Sequence, residues 1–168
     1  MSSATDAHAD AAALLSELER RGLTLAIAES LTGGLLIAEF VAVAGASAVI
    51  RGGIVAYSTG LKHSVLGVDA SLLGEYGPVH PRVASQMAAG VRTALALDGV
   101  PADLGLATTG VAGPGPQDGH PAGKAYIGIA DARNSASVGL QLGGSREDIR
   151  RGVVSESLRA LDEWLTQH

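Results

Sequence analysis

The stretch that decides the fold is Leu23-Thr24-Leu25-Ala26-Ile27-Ala28-Glu29-Ser30-Leu31-Thr32-Gly33-Gly34. Its first half, Leu23 to Ala28, is a short apolar run without the in-out alternation of a half-exposed strand, so it reads as a strand covered on both faces. It passes directly into a turn rich in small residues, and Leu35 to Val43 then reads as a helix. A doubly covered strand feeding a helix is the unit of a layered α/β domain.

The flanking sequence extends this pattern. Leu14, Leu15 and Leu18 recur at helical spacing between Asp10 and Arg21, and Gly22 follows the basic pair Arg20 and Arg21 as a helix C-cap does. Beyond the turn, the run Val49 to Tyr57 reads as a second strand in which Gly52-Gly53 permits a bulge. Ser58 to Tyr76 holds short helical turns. Pro81 to Leu97 is a helix with Pro81 in its first turn and Val83, Met87, Val91 and Leu95 on one face. A third strand, Leu104 to Thr109, leads into a loop of glycines and prolines from Gly110 to Gly123. Lys124 to Ala130 and Ser137 to Leu142 follow as a hairpin, because so short a connection suits antiparallel neighbours. Ser145 and Asp148 form a capping-box pair before a last helix, Ile149 to Leu165, with Val154, Leu158, Leu161 and Leu165 inward. These elements predict a mixed sheet with helices on both faces.

The chain has 168 residues, one domain's worth, and residues 1–9 precede the periodic pattern and are expected to be flexible. Hydrophobic residues make up 46% and charged residues 17%, a balance that builds a continuous core rather than a solvated tail. With aromatic residues at only 3%, that core is aliphatic and stacking platforms for single-stranded nucleic acid are excluded. The formal net charge is −5 and the twelve Lys and Arg form no stripe, so nucleic acid is not expected as a partner. The absence of cysteine removes disulfides, thiolate metal sites and thiol nucleophiles together. No basic region precedes the Ala-rich N-terminus, and Glu39 and Gly45 interrupt the apolar stretch from Leu35 to Ile50. A cytoplasmic protein that does not engage a membrane is the expectation.

Chemistry concentrates after the strands. Six of the 23 glycines, Gly33, Gly34, Gly110, Gly113, Gly115 and Gly119, follow the first and third strands, where open α/β sheets bind ligands. No P-loop, dinucleotide fingerprint or Gly-x-Ser-x-Gly elbow is present. Ser30 lies on a strand-to-helix turn, the position of a nucleophile, with N–H groups around Gly33 and Gly34 placed to meet developing negative charge. The same position equally suits a helix N-cap. His63, His80 and His120 are the imidazoles outside the termini, and none carries a carboxylate partner or metal spacing. Lys62 follows the second strand, where the chain can return beside Ser30. A desolvated lysine serves as a general base, whereas a solvated one is ordinary surface.

Five collinear strings go further: Ala28-Glu29-Ser30-Leu31-Thr32-Gly33-Gly34; Gly52-Gly53-Ile54-Val55-Ala56-Tyr57-Ser58 with Lys62 and Leu66-Gly67-Val68; Tyr76-Gly77-Pro78-Val79; Ala107 to Gly115; and Gly143-Gly144-Ser145-Arg146. In order and spacing, from about Leu14 to Leu165, the chain resembles the CinA C-terminal domain family. The resemblance implies a three-layer α/β/α sandwich with a mixed, mostly parallel sheet. For active members it implies amidohydrolysis of nicotinamide mononucleotide to nicotinate mononucleotide and ammonia, with neither metal nor cofactor. Carried onto matching positions, it makes Ser30 the nucleophile, Lys62 its base and Tyr57 an aid to proton transfer. Thr32, Gly33, Gly34, Thr109, Gly110 and Arg146 would line the substrate site, with the Thr109-Gly110 loop or Arg146 receiving the phosphate.

The chain departs from the common family pattern at Leu31 (usually Cys), Thr59 (usually Asn), His80 (usually Ser) and the loop Pro116 to Pro121. That loop is the expected specificity element. Two other readings stand beside the first: a nucleotide-binding or regulatory module that has lost turnover, and a hydrolase of a different pyridine nucleotide amide. A symmetric homodimer is the expected assembly.

Overall fold

The computed structural model describes residues 4–168; of the segment expected to be flexible, residues 1–3 lie outside the described residues. Helix α1 (Ala4–Arg21) leads through Gly22, at φ 69°, into strand β1 (Leu25–Glu29). Helix α2 (Leu35–Val41), strand β2 (Ile50–Val55) and the short helices α3 (Thr59–Ser64) and α4 (Ala70–Tyr76) follow. Helix α5 (Pro81–Ala94), strands β3 (Leu104–Gly110), β4 (Lys124–Ala130) and β5 (Ser135–Gln141), and helix α6 (Arg146–Gln167) complete the chain.

Three ends differ from the periodic reading by three residues or more. Helix α1 starts before Asp10. Helix α5 stops at Ala94 because Asp98 and Gly99, at φ 52° and 79°, turn the chain so that Leu97 and Val100 bridge. Helix α6 starts at Arg146, three residues before the expected Ile149, and at its start the expected capping box is present: Ser145 accepts from the Asp148 N–H and the Asp148 carboxylate from the Ser145 N–H.

The sheet order is β2-β1-β3-β4-β5. Strand β1 runs parallel to β2 and β3, while β4 is antiparallel to both β3 and β5, so β4 alone runs against the rest. Opposite Leu25 and Ala26 the β2 partners are Ile50 and Gly52, which leaves Arg51 as the extra residue of the expected bulge.

Both faces of the sheet are covered, but by different means. Leu25 and Ile27 point toward α1, α2 and α6, into a core with Leu18, Phe40, Leu158 and Leu161. Ala26 and Ala28 point the other way, toward Val83, Met87 and Val91 of α5. On that second face the strand residues are so small that backbone meets backbone: a Cβ added at Gly128 would lie 2.0 Å from the Ala84 carbonyl oxygen, and one at Gly105 1.9 Å from that of Ala88. Helix α5 thus rests on the sheet itself. A Cβ at Gly90, on its other side, would lie 1.7 Å from the Leu66 carbonyl oxygen, so α5 also seats the turn after α3. Among the described residues no helix is long and apolar enough to cross a membrane.

Candidate functional site

The site is assembled where β1, β2 and β3 end. Ser30 is the first residue after β1. The Ala56 N–H donates to the Glu29 carbonyl at 2.8 Å, extending the β1–β2 pairing by one step and fixing Ala56 beside Ser30. Helix α3 then reverses the chain, and Leu66 and Val68 beyond it are buried against α5. This brings Lys62 back over the end of β1, where its Nζ donates to Ser30 Oγ at 3.0 Å and to the Ala56 carbonyl at 2.8 Å.

Lys62 is only 1% exposed, and Ser30 is also buried. Among the described residues no carboxylate pairs with the ammonium, and desolvation lowers its pKa from the ordinary 10.5 to about 8. A neutral amine is therefore accessible near physiological pH, 3.0 Å from a hydroxyl. Neither alternative assignment from the sequence holds: Lys62 is not a surface lysine, and Ser30 does not cap a helix. The residue preceding α2 is Gly34, at φ 100°, and the capping is done by Glu29. The buried Glu29 carboxylate accepts from the N–H groups of Gly34, Leu36 and Ile37 at 3.0, 3.1 and 2.9 Å.

This corrects one expectation. The N–H groups near the helix start are not open to a ligand: Gly34 donates to Glu29 and Gly33 to the Ser30 carbonyl at 3.1 Å. A buried carboxylate already neutralises the positive end of α2. Thr32 is likewise turned inward, its Oγ1 bonded to Thr108 Oγ1 at 2.8 Å. Thr32, Gly33 and Gly34 thus lie behind the cleft and not on its wall. Among the described residues, the backbone N–H groups of Leu31 and Thr32 donate to no protein acceptor.

The cleft has a volume of ≈ 60 Å³, and its wall includes Ser30, Lys62, Tyr57, Thr109, Gly110 and Arg146. Leu31 and Gln117 also border it, the latter from the loop expected to set specificity. Thr109 Oγ1 donates to the Pro78 carbonyl at 2.7 Å, tying the turn before α5 to the end of β3. Tyr57 is 63% exposed at the mouth, and its hydroxyl accepts from Arg146 Nη2 at 3.3 Å rather than meeting Ser30 or Lys62. Arg146 Nη1 donates to the Gly113 carbonyl at 2.6 Å, so the guanidinium spans the mouth with only neutral partners.

Two imidazoles are engaged elsewhere, His63 with the Val68 carbonyl and His80 as the cap of α5 accepting from the Arg82 N–H, and the His120 backbone bridges that of Gln117. Among the described residues no group of three or more His, Asp or Glu side chains is arranged to hold a metal ion.

Two contributors were not evident from spacing. Glu29 sits in a strand pattern, and nothing in its position announces that its carboxylate would turn back to cap the following helix. Arg150, on α6, reaches the turn after Ser30 from 118 residues away to donate to the Thr32 carbonyl.

The profile of the CinA C-terminal domain matches residues 7–165. A CinA-like protein of Frankia casuarinae is 48% identical over 145 residues, covering 86% of this chain and 32% of that protein. The chain spans about a third of the length of the curated relatives it matches. Among solved structures, a CinA superfamily protein of Klebsiella pneumoniae 700603 superposes with a TM-score of 0.90 at 30% identity, covering 96% of this chain and 99% of that one. The competence/damage inducible protein CihA of Agrobacterium tumefaciens gives a TM-score of 0.86 at 31% identity, with 96% of each chain covered. By family profile, sequence identity and fold alike, the chain belongs to the CinA C-terminal domain family.

Proposed function

We propose that this protein is an amidohydrolase that converts nicotinamide mononucleotide to nicotinate mononucleotide and ammonia through Ser30 and Lys62. The observation that carries the reading is the buried 3.0 Å contact between Lys62 Nζ and Ser30 Oγ. A lysine enclosed without a carboxylate has little structural reason to be there, since burying its charge costs stability. A lowered pKa beside a hydroxyl is what a general base requires.

In this mechanism neutral Lys62 takes the Ser30 proton as Oγ attacks the carboxamide carbon, forming a tetrahedral intermediate. Its C–N bond then breaks as Lys62 returns the proton to the leaving nitrogen, and ammonia departs. Lys62 next takes a proton from water, whose oxygen attacks the acyl-serine carbonyl, and the proton passes back to Ser30 as the carboxylate product leaves. Water enters and ammonia leaves, so the two half-reactions balance. The Leu31 N–H, without a protein acceptor among the described residues and on a residue of the cleft wall, is the donor assigned to the oxyanion.

The cleft of ≈ 60 Å³ is far below the ~300–1,000 Å³ of pockets that enclose whole ligands, which suits entry of the carboxamide end alone. The ribose and phosphate would lie over the mouth, where Arg146 offers a guanidinium without a carboxylate partner. The test is ammonia release from nicotinamide mononucleotide by the purified protein. Steady turnover, lost in folded Ser30→Ala and Lys62→Ala variants, is the expected result. An inactive wild type would favour the binding-module reading.

A further inference from the structure

We propose that Arg150 is a positioning residue for the oxyanion-binding peptide of the nucleophile turn, an inference that rests on Ser30 being the nucleophile. Arg150 Nε donates to the Leu31 carbonyl at 3.0 Å and its Nη2 to the Thr32 carbonyl at 2.9 Å. Its remaining nitrogen, Nη1, pairs with Glu147 on the same helix at 3.0 Å. All three nitrogens are thus committed, and the guanidinium is fixed as a rigid fork between α6 and the turn.

The consequence follows from peptide geometry. In a trans peptide the carbonyl and the next residue's N–H point in opposite directions. Drawing the Thr32 carbonyl toward α6 sends the Gly33 N–H the other way, and there it meets the Ser30 carbonyl at 3.1 Å. That bond fixes the Ser30 carbonyl, and the N–H across the same peptide, that of Leu31, points away from it. The Leu31 N–H has no protein acceptor among the described residues, and Leu31 borders the cleft next to Ser30. Arg150 thus holds a free donor near the attacking oxygen without touching substrate, and its charge polarises the peptide further. Arg146, one turn earlier on α6, faces the mouth instead. Two arginines of one helix divide the work, one facing the ligand and one the back of the loop.

The test compares wild type with Arg150→Ala, Arg150→Lys and Glu147→Gln in two assays. One is turnover of nicotinamide mononucleotide. The other is the rate at which a fluorophosphonate labels Ser30, read by intact mass. In that labelling the Oγ–P bond forms, the P–F bond breaks, fluoride leaves and the Ser30 proton passes to Lys62, with the phosphoryl oxygen in the oxyanion position.

For folded Arg150→Ala the expected result is a loss of about 100-fold in kcat, the cost of misplacing a reacting group by ~1 Å. KM should move by less than about threefold, as for a group that acts on the transition state. Labelling should slow in parallel, the pH midpoint should not move, and added guanidinium should restore part of both rates. Arg150→Lys keeps the charge but cannot span both carbonyls, so a several-fold loss is expected; it carries the test if Arg150→Ala fails to fold. Glu147→Gln should stay near wild type.

Wild-type labelling and turnover in folded Arg150→Ala or Arg150→Lys would overturn the proposal. A wild type that labels but does not hydrolyse the nucleotide would remove only the substrate assignment, and the labelling ratio would still decide the role of Arg150. A wild type inert in both assays would remove Ser30 as nucleophile, and this proposal with it.

Discussion

Lys62 Nζ stands 3.0 Å from Ser30 Oγ, and its second acceptor is the carbonyl of Ala56, not a carboxylate. Among the described residues the amine has only neutral partners, so no opposite charge offsets the burial of its own.

That arrangement sets stability against activity. With its pKa lowered from 10.5 to about 8, protonated Lys62 costs the fold about 3 kcal/mol, at ~1.36 kcal/mol per pKa unit. Lys62→Met should therefore abolish turnover yet raise stability at pH 7 by about 1–2 kcal/mol, after allowance for the two hydrogen bonds lost. Between about pH 8 and 10.5 the unfolded lysine is protonated and the folded one is not, so wild-type stability gains with rising pH. The gap between variant and wild type should close across that window and reverse by its upper end, read by urea unfolding at several pH values.

The same titration should govern the rate. If Lys62 must be neutral to take the Ser30 proton, kcat/KM rises tenfold per pH unit below about 8 and levels off above it. A profile flat from pH 6 to 9 would remove Lys62 as the base.

Arg146 offers a test of where the phosphate sits. Losing one charge-assisted anchor of ~1.5–3 kcal/mol should raise KM about 10- to 100-fold in Arg146→Ala while leaving kcat within a few-fold. A fall in kcat with KM unchanged would assign the guanidinium to the chemistry itself.

Glu29 caps the helix that follows Ser30. In Glu29→Gln one oxygen that receives N–H groups of α2 becomes an amide donor facing donors, and a loss of about 1–3 kcal/mol in unfolding free energy is expected. Wild-type stability in that variant would mean that water replaces the carboxylate there.

The close seating of α5 can be checked without touching the site. A methyl group at Gly128 would fall 2.0 Å from the Ala84 carbonyl oxygen, a backbone atom that cannot step aside. Gly128→Ala should cost about 3 kcal/mol or more, read as a lowered midpoint of chemical denaturation.

The sequence made the elements legible because their signals are local. The covered strand at Leu25–Glu29, the bulge at Gly52, Pro81 in the first turn of α5 and the Ser145–Asp148 box all depend on residues within a few positions of one another. The Ser30–Lys62 pair was legible too, through its place after strands and through family motifs. The donors were misjudged. Gly33 and Gly34 stand where open N–H groups are expected, but a carboxylate four or five positions upstream already occupies that end of α2.

By itself, then, the sequence determined the layered α/β plan, the reversal of chain that carries Lys62 toward Ser30, and membership of the CinA C-terminal domain family, since periodicity, turn chemistry and collinear motifs are written along the chain. Only the tertiary structure decided that Lys62 is sealed from water, that Glu29 faces α2 and that Arg150 grips the turn from the far end of the chain. Desolvation, and hydrogen bonds between residues more than a hundred positions apart, exist only once the layers have packed.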